Sequence, residues 1–375
     1  MSPLESLAVR ADRLQKSMAA SPWRERALTW RLGSWLAMTF AVAFVTGLIS
    51  HAAQTPGWWF PTSPAWGYRV TQGLHVTAGI ASVPLLLAKL WSVYPRLLET
   101  PRRGFADALG QLTDRAIAAA LVASALFLLT SGVLNLTGWY PWSFSFRPTH
   151  YAAAWLVVAA MCFHLARKLP LRPRTRYSPR TRYSPQRRRL LLWVASSSAV
   201  GAVLGSPALA PLSVLGARSG RGPQGVPINK TAAQAGVIEA ASSAAYRLEV
   251  VGRSRRRSLS LTEVKALGAT TVSLPIACVE GWSAGAVWTG VPVASLLAAL
   301  GEPASAVRVT SLQASGPFRA TLLPAQFVAD RRTLLAWELN GEPLALDHGA
   351  PIRLIAPNRP GVLQTKWVTR IEVEA

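Results

Sequence analysis

The sequence predicts a multi-domain protein in which an all-α transmembrane helix bundle is followed by an α+β, mostly β, domain. Half of the residues are hydrophobic and only 15% are charged, which is unusually apolar for a soluble chain of this length. The first 213 residues contain apolar segments that approach the ~20 residues needed to cross a bilayer. From residue 245 onward, the short β-prone runs "YRLEVVG", "TTVSLPIACV", "VRVTSL", "PIRLIAP" and "KWVTRIEVEA" alternate with turn-rich stretches such as "APNRPG". The run "PVASLLAALG" predicts a short helix that ends at Gly301.

The transmembrane prediction rests on apolar segments at 32–51, 70–93, 115–137, 150–166 and 190–213. The last of them is less apolar, because it contains three consecutive serines and two prolines. It nevertheless has no charge between Arg189 and Arg218. We therefore predict a fifth span after the first four.

The basic residues predict the orientation of these spans. Residues 1–213 carry 23 of the 40 Lys and Arg residues but only 6 of the 17 Asp and Glu residues. The arginines cluster before the first segment, between the second and third, and between the fourth and fifth. By the positive-inside rule this pattern predicts a multi-pass cell-membrane protein with a cytoplasmic amino terminus and an extracytoplasmic carboxy-terminal domain. The net charge of +23 is explained by topology, so we expect the lipid bilayer as a partner and no nucleic acid.

The same patterns define the expected domain boundaries. Residues 169–189 contain a tandem "PRTRYS" repeat and predict a basic linker, and residues 214–244, rich in Gly, Ala and Ser, predict a tether. The complete prediction is a cytoplasmic segment 1–28, a four-helix domain 29–168, the linker 169–189, a fifth transmembrane helix 190–213, the tether 214–244 and a final domain 245–375.

Four of the five histidines lie in or beside the apolar segments, namely His51, His75, His150 and His164. Ionisable side chains inside a membrane are costly and are usually functional. His150 and His164 are 14 residues apart, which is about 21 Å of helical rise and nearly four turns. His75 is expected at a depth similar to that of His150. Two histidines that face each other across a bundle are the axial ligands that haem b requires.

Residues 30–168 resemble the four-helix membrane cytochrome b subunits of formate dehydrogenase type, which also carry two haem ligands 14 residues apart on their fourth helix. The resemblance implies one haem b held by His75 and His150. A second, inner haem through His164 is left open, because His51 lies at the outer end of its segment and Lys89 stands at the inner end of the second. His51 is an alternative outer ligand. Quinone or quinol, or a redox protein, is the implied electron partner.

Cys278, in "LPIACVEGWS", is one of two cysteines in the chain. The other, Cys162, is predicted at the inner end of the fourth segment, so the two are not expected to form a disulfide. The sequence leaves three roles open for Cys278: core packing, nucleophilic catalysis with His348, and metal ligation. A thiolate is a soft ligand suited to an electron-rich metal centre.

The segments "ACVEGWS", "VWTGVPVASLLAALG", "LNGEPLALDHGAPIRLIAP" and "GVLQTKWVTRIEV" resemble the molybdopterin domain of the sulfite oxidase family, over residues 245–375. The resemblance implies a molybdenum–molybdopterin cofactor with Cys278 as the catalytic molybdenum ligand. It also implies that the residues that contact the cofactor are His348, Arg353, Gln364, Thr365 and Lys366.

These resemblances together imply a membrane-anchored molybdenum oxidoreductase that exchanges electrons with haem b and acts on a small molecule. Reduction of sulfoxides or N-oxides is the expected activity, since a membrane haem draws electrons from quinol. The alternatives are oxidation of a sulfite-like substrate, and a haem-binding electron conduit or sensor with an inactive outer domain. The stretch "SPQRRRLLLWVASSSAVG" resembles a twin-arginine export signal.

Overall fold

The computed structural model describes residues 26–97, 105–169, 185–206 and 222–374. The chain divides into two compact units. We call the first the helical unit; it consists of Met1–Phe44, Val76–Asn135 and Trp139–Gly205. We call the second the sheet unit; it consists of Val45–His75, Leu136–Gly138 and Ser206–Ala375.

Each of the first four apolar segments forms a long helix, and a shorter helix follows them. Leu, Ala, Val and Phe dominate these segments, and straight-chain residues and alanine have high helix propensity. The helices are α1 (Arg26–Gln54), α2 (Gly67–Leu97), α3 (Phe105–Thr137), α4 (Phe146–Lys168) and α5 (Pro185–Gly205).

Within the helical unit, α1 to α4 pack through a common apolar core. Its buried members come from all four helices: Phe40, Leu86, Ala125, Leu128, Ala153 and Val157. Many large apolar side chains point outward instead, including Met38, Leu156 and Phe163, each more than 60% exposed. By length and composition, four helices among the described residues are apolar enough to cross a membrane, and they are α1 to α4.

The helix α5 differs from the predicted fifth span. It begins at Pro185, before the predicted segment, and includes the charged residues Arg187 to Arg189 as well as Ser196 to Ser198. These residues lower its hydropathy, so α5 is not among the four helices of the described ranges that could cross a membrane. Most of the predicted segments 1–28 and 169–189, and the end of the predicted fifth span, lie outside the described residues.

The carboxy-terminal half of the sheet unit is rich in strands, with short helices between them. The helices are α6 (Ala232–Ala235), α7 (Ile238–Ser242), α8 (Leu261–Ala266), α9 (Val293–Ala298) and α10 (Ala325–Ala329). The strands are β1 (Leu248–Val251), β2 (Arg256–Leu259), β3 (Thr270–Ala277), β4 (Ser283–Pro292), β5 (Val307–Ser311), β6 (Ala320–Leu323), β7 (Leu334–Leu339), β8 (Glu342–Pro343), β9 (Arg353–Ile355) and β10 (Val368–Val373).

Within residues 222–374 the strands form two sheets. The first has the order β2-β1-β10-β5-β6, and the second has the order β3-β4-β7-β8, with β9 paired to β7. In the first sheet β1 and β10 are parallel, and the other pairs are antiparallel. In the second sheet β3 and β4 form a hairpin in which Ala277 pairs with Ser283. Cys278 therefore lies in the turn at the end of this hairpin.

The segment before β1 differs from the predicted tether. Residues 232–242 form α6 and α7, and a complete capping box at Thr231 and Gln234 begins α6. Ala232, Val237 and Ala241 are buried in one cluster with Trp367. This segment covers the indole ring of Trp367, so residues from about 222 onward pack as part of the carboxy-terminal domain.

Candidate active site

The turn between β3 and β4 holds Cys278 in a buried position. The Cys278 N–H donates to the carbonyl of Trp282 at 2.9 Å, and the Gly281 N–H donates to the carbonyl of Cys278 at 3.0 Å. Gly281 has φ +90°, a conformation that glycine adopts without steric cost. The side chain of Cys278 is 1% exposed and packs in an apolar cluster with Trp282 and Trp288. The thiol of Cys278 therefore lies in an apolar environment that is shielded from solvent.

His348 lies in a short 3₁₀-helix, Leu346–His348, and is completely buried. Its Nε2 lies 2.7 Å from the carbonyl oxygen of Pro223, which can only accept a hydrogen bond. Burial lowers the pKa of His348 to about 4, so the ring is neutral at physiological pH. The proton is then on Nε2, and Nδ1 carries a lone pair. Nδ1 is buried without a hydrogen-bond partner among the described residues.

Arg353, the first residue of β9, is a buried cation in the same site. Its Nη1 donates to the carbonyl of His348 at 3.0 Å, and its guanidinium lies 5.5 Å from the ring centroid of Trp288. Burial lowers the pKa of Arg353 to about 10, and the thiolate of Cys278 acts in the opposite direction. The side chain remains charged at neutral pH, and its buried Nε has no acceptor within the described part of the chain.

Gln364 and Thr365 follow the short 3₁₀-helix Gly361–Leu363, and both are nearly inaccessible. Gln364 Nε2 donates to the carbonyl of Arg359 at 2.8 Å, while its buried Oε1 has no donor in the ranges that the structure describes. The Thr365 hydroxyl pairs with that of Thr321 at 2.8 Å. The backbone carbonyl of Thr365 accepts from the N–H of Leu354, which follows Arg353, at 2.9 Å. This hydrogen bond connects the segment that contains Arg353 with the segment that contains Gln364 and Thr365.

Lys366 is 9% exposed, and its ammonium donates to the carbonyls of Lys230 and Asp347 at 2.8 and 2.9 Å. Burial, and after it the charge of Arg353, lower its pKa to about 7. An ammonium has three protons, so it retains capacity for one more acceptor. Gly349 lies against Lys366: a Cβ at this glycine would be 2.9 Å from the Cβ of Lys366, and its φ is +113°.

Trp367 has φ +52°, which is rare for an aromatic residue. Its indole N–H donates to the carbonyl of Leu346 at 2.7 Å, and its backbone N–H donates to the carbonyl of Gly349 at 3.1 Å. These bonds hold the unusual backbone and place Lys366 beside the His348 segment. Such conformations occur mainly where a site requires them.

Three of the predicted cofactor contacts thus leave a buried polar atom without a protein partner among the described residues: His348 Nδ1, Arg353 Nε and Gln364 Oε1. Buried polar atoms are normally hydrogen-bonded, so a group of such atoms calls for a ligand. Two of them accept and one donates. This donor set fits a heterocycle with both N–H groups and acceptors, and Arg353 and Lys366 fit its phosphate. The residues therefore fit a pterin cofactor with Cys278 as a metal ligand.

The predicted haem ligands are divided between the two units. His51 and His75 belong to the sheet unit, and His150 and His164 belong to the helical unit. Gly47 on α1 allows the ring of His75 to approach, because a Cβ there would be 3.0 Å from His75 Cε1.

Within the helical unit, Nδ1 of His150 lies 3.2 Å from the Ser131 hydroxyl on α3. This contact orients the imidazole ring. Lys89 donates from Nζ to the carbonyl of Thr29 at 2.7 Å.

Sequence patterns did not identify Asn358 and Arg359, which belong to a stretch predicted only as a turn. Both are buried. Arg359 donates to the carbonyls of Leu363 and Leu322, and burial lowers its pKa to about 9. It therefore holds the turn before Gln364 in place. The partners of Arg359 are backbone carbonyls, which leave no pattern in the sequence. The only sequence signal for its structural role is the arginine itself in "APNRPG".

Fold and site define a sheet-rich domain in which a buried cysteine is accompanied by buried polar atoms that suit a cofactor. Residues 235–375 match the family model of the oxidoreductase molybdopterin-binding domain. The chain is 34% identical over 154 residues to mitochondrial sulfite oxidase of Drosophila melanogaster. This alignment covers 34% of this chain and 27% of the relative. Residues 235–375 therefore match a molybdopterin-binding oxidoreductase domain and are similar to sulfite oxidase.

Two further similarities involve other oxidoreductases. A nitrate reductase [NADPH] of Mycosarcoma maydis is 55% identical over 40 residues, which is 11% of this chain and 4% of the relative. The crystal structure of the sulfane dehydrogenase SoxCD from Paracoccus pantotrophus matches with 25% identity and a TM-score of 0.32, covering 35% of this chain and 38% of that chain. The chain spans less than a third of the length of the Drosophila sulfite oxidase and of the nitrate reductase.

Proposed function

We propose that this protein is a membrane-anchored molybdenum oxidoreductase. In this proposal α1 to α4 cross the membrane and hold haem b, and the carboxy-terminal domain lies on the extracytoplasmic side. Electrons from quinol, or from a redox protein, pass through the haem to the molybdopterin centre, where a small sulfoxide or N-oxide is reduced. The observation that carries the proposal is the buried thiol of Cys278 beside the unpartnered polar atoms of His348, Arg353 and Gln364.

The chain's own residues would bind and orient the cofactor. Cys278 would supply the thiolate ligand, and the hairpin turn would hold this ligand in one geometry. His348 Nδ1 and Gln364 Oε1 would accept hydrogen bonds from the pterin, while Arg353 and Lys366 would neutralise the charge of its phosphate. The bound molybdenum would supply two-electron oxygen-atom transfer, which no amino-acid side chain provides.

Reduction is proposed because haem b in a membrane bundle exchanges electrons with the quinol pool. The nitrate reductase among the relatives is named for a reduction of an oxygenated substrate, which supports this direction. The sulfite oxidases among the relatives favour a second candidate, namely oxidation of a sulfite-like substrate with electrons passed to the haem. The two candidates share the same site and differ in the direction of electron flow.

The ligand assignment is tested by Cys278→Ser in the full-length protein. A serine hydroxyl is a poor substitute for a soft thiolate, so we expect the variant to retain the pterin and lose oxidoreductase activity by at least about a thousandfold. Molybdenum and pterin contents and the Mo(V) electron paramagnetic resonance spectrum provide the measurement. Cys162→Ser is the matched control and should behave as the wild type. Full activity in Cys278→Ser would refute the ligand assignment.

A further inference from the structure

The side chain of Gln72, on α2, is held at both ends inside the sheet unit. Its Nε2 donates to the carbonyl of Val279 at 3.2 Å, and its Oε1 accepts from the hydroxyl of Ser50 on α1 at 2.9 Å. Gln72 is only 5% exposed. Because one end of the amide must donate and the other must accept, the two partners fix its orientation.

A buried polar cluster surrounds this amide. The hydroxyl of Ser50 also lies 3.2 Å from the Tyr68 hydroxyl and 3.1 Å from Nε2 of Gln54. The backbone N–H of Tyr68 donates to the side-chain oxygen of Asn358, whose Nδ2 donates to the carbonyl of Pro61 at 2.8 Å. Residues 61–72 are therefore attached to the molybdopterin domain both at the Cys278 turn and at Asn358.

Gln72 lies between residues of the two predicted redox centres, namely Cys278 of the molybdenum site and His75 of the haem site. Its partner Val279 follows Cys278 directly in the hairpin turn. Gln72 also precedes His75 by three residues on α2, which is a rise of about 4.5 Å along the helix. A short path of covalent bonds and one hydrogen bond thus leads from the His75 helix to the residue beside the thiol.

We propose that Gln72 is a positioning residue that fixes the Cys278 turn to the His75 helix and couples the haem electronically to the molybdenum site. This inference rests on the proposed function. His75 and His150 would hold the haem, which would supply single electrons, and Cys278 would hold the molybdenum, which would supply oxygen-atom transfer. Two electrons and two protons convert one sulfoxide into a thioether and water, and quinol is the reductant.

The positioning role is tested on full-length, cofactor-free protein carrying Cys162→Ser, so that Cys278 is the sole thiol. The probe is the rate of Cys278 alkylation by a small maleimide. Gln72→Glu preserves size and can still accept from Ser50, but it cannot donate to Val279. We expect alkylation to accelerate roughly fivefold, which corresponds to about 1 kcal/mol, the usual net value of one hydrogen bond. Gln72→Leu should give the same direction.

Gln326→Leu is the matched control. Gln326 donates to the carbonyl of Phe60 at 3.4 Å, so this variant removes a glutamine contact to the same amino-terminal segment without touching the turn. Its alkylation rate should equal that of the parent. Unchanged alkylation in both Gln72 variants, or equal acceleration in Gln326→Leu, would overturn the positioning role.

Electronic coupling is tested on the protein loaded with haem and molybdenum. In Gln72→Glu, reoxidation of reduced haem by a sulfoxide should slow by a comparable factor relative to turnover with a reduced viologen that bypasses the haem, while the haem spectrum and the molybdenum content stay unchanged. Normal haem reoxidation in Gln72→Glu would overturn the coupling. Wild-type protein that binds no haem would refute the proposed function, whereas the alkylation rates would still decide whether Gln72 positions the turn.

Discussion

At the scale of single residues, the site is a set of buried polar groups whose protonation states are fixed by their neighbours. His348 is neutral because burial disfavours its charged form, and the Pro223 carbonyl places the proton on Nε2. Lys366 is held between two backbone carbonyls and has a pKa of about 7. Its charge, unlike that of Arg353, changes near neutral pH, so binding of a phosphate-bearing cofactor should weaken as the solution becomes alkaline.

His348 predicts an acid sensitivity of the folded domain. Its pKa is about 4 in the folded protein and 6.5 ordinarily, so between these values the unfolded chain binds a proton that the folded chain does not. Acidification through this window therefore destabilises the cofactor-free protein, by up to about 3 kcal/mol. His348→Gln can still donate to Pro223 but does not titrate. Its thermal unfolding midpoint should fall less between pH 6.5 and 4 than that of the wild type, and equal slopes would contradict this account.

The sequence predicts the side chains of the candidate site but not their partners. Cys278, His348, Arg353, Gln364, Thr365 and Lys366 were all chosen from short motifs, and the structure places each of them in a buried position. The carbonyls of Pro223, Lys230 and Asp347 could not be predicted in this way. Every residue has a carbonyl group, so a backbone acceptor has no signature in the amino-acid sequence.

At the scale of secondary-structure elements, strands and helices could be predicted where the sequence has a clear local pattern. The runs "TTVSLPIACV", "VRVTSL" and "KWVTRIEVEA" became β3, β5 and β10, and "PVASLLAALG" gave α9, followed by Gly301 at φ +78°. The strand β7, "LLAWEL", was missed because a short, continuously apolar run has no alternation that distinguishes a strand from a helix. The parallel pairing of β1 with β10 joins residues more than a hundred positions apart, which no local pattern reveals.

Gly290 in β4 provides a prediction for the hairpin that carries Cys278. A Cβ at this position would lie 2.3 Å from the carbonyl oxygen of Leu335 on β7. Gly290→Ala should therefore force β4 and β7 apart and lower the free energy of unfolding by about 1–3 kcal/mol or more. Gly285→Ala, in the same strand, is the control, since nothing lies within 4 Å of its Cβ. Similar stabilities of the two variants in thermal unfolding would contradict the predicted clash.

At the scale of the whole molecule, four long apolar helices precede a sheet-rich molybdopterin domain in one chain. This order supports the proposal that an electron carrier in a membrane and an oxidoreductase site are joined covalently. The similarity to known proteins covers the carboxy-terminal domain. The proposed membrane location, haem and orientation rest on the apolar helices, on the basic residues between them, and on the resemblance of residues 30–168 to membrane cytochrome b subunits.

The haem proposal predicts that the outer haem depends on two histidines. His75→Ala and His150→Ala should each lose the Soret and α-band absorption of that haem from the purified protein, because each removes one axial ligand. His348→Gln is the control and should retain both bands, as it lies in the molybdopterin domain. An undiminished haem spectrum in either alanine variant would exclude that histidine as a ligand.

The most direct test of the central claim is optical observation of haem in the purified full-length protein. The haem is first reduced with dithionite, the excess reductant is removed, and a sulfoxide or an N-oxide is added. We predict that the haem is reoxidised at a rate that depends on the substrate concentration and that Cys278→Ser abolishes this reaction. Haem that stays reduced with every sulfoxide and N-oxide, but becomes reduced when sulfite is added to the oxidised protein, would contradict the proposed direction. Haem that responds to neither class of substrate would contradict coupling between the two centres.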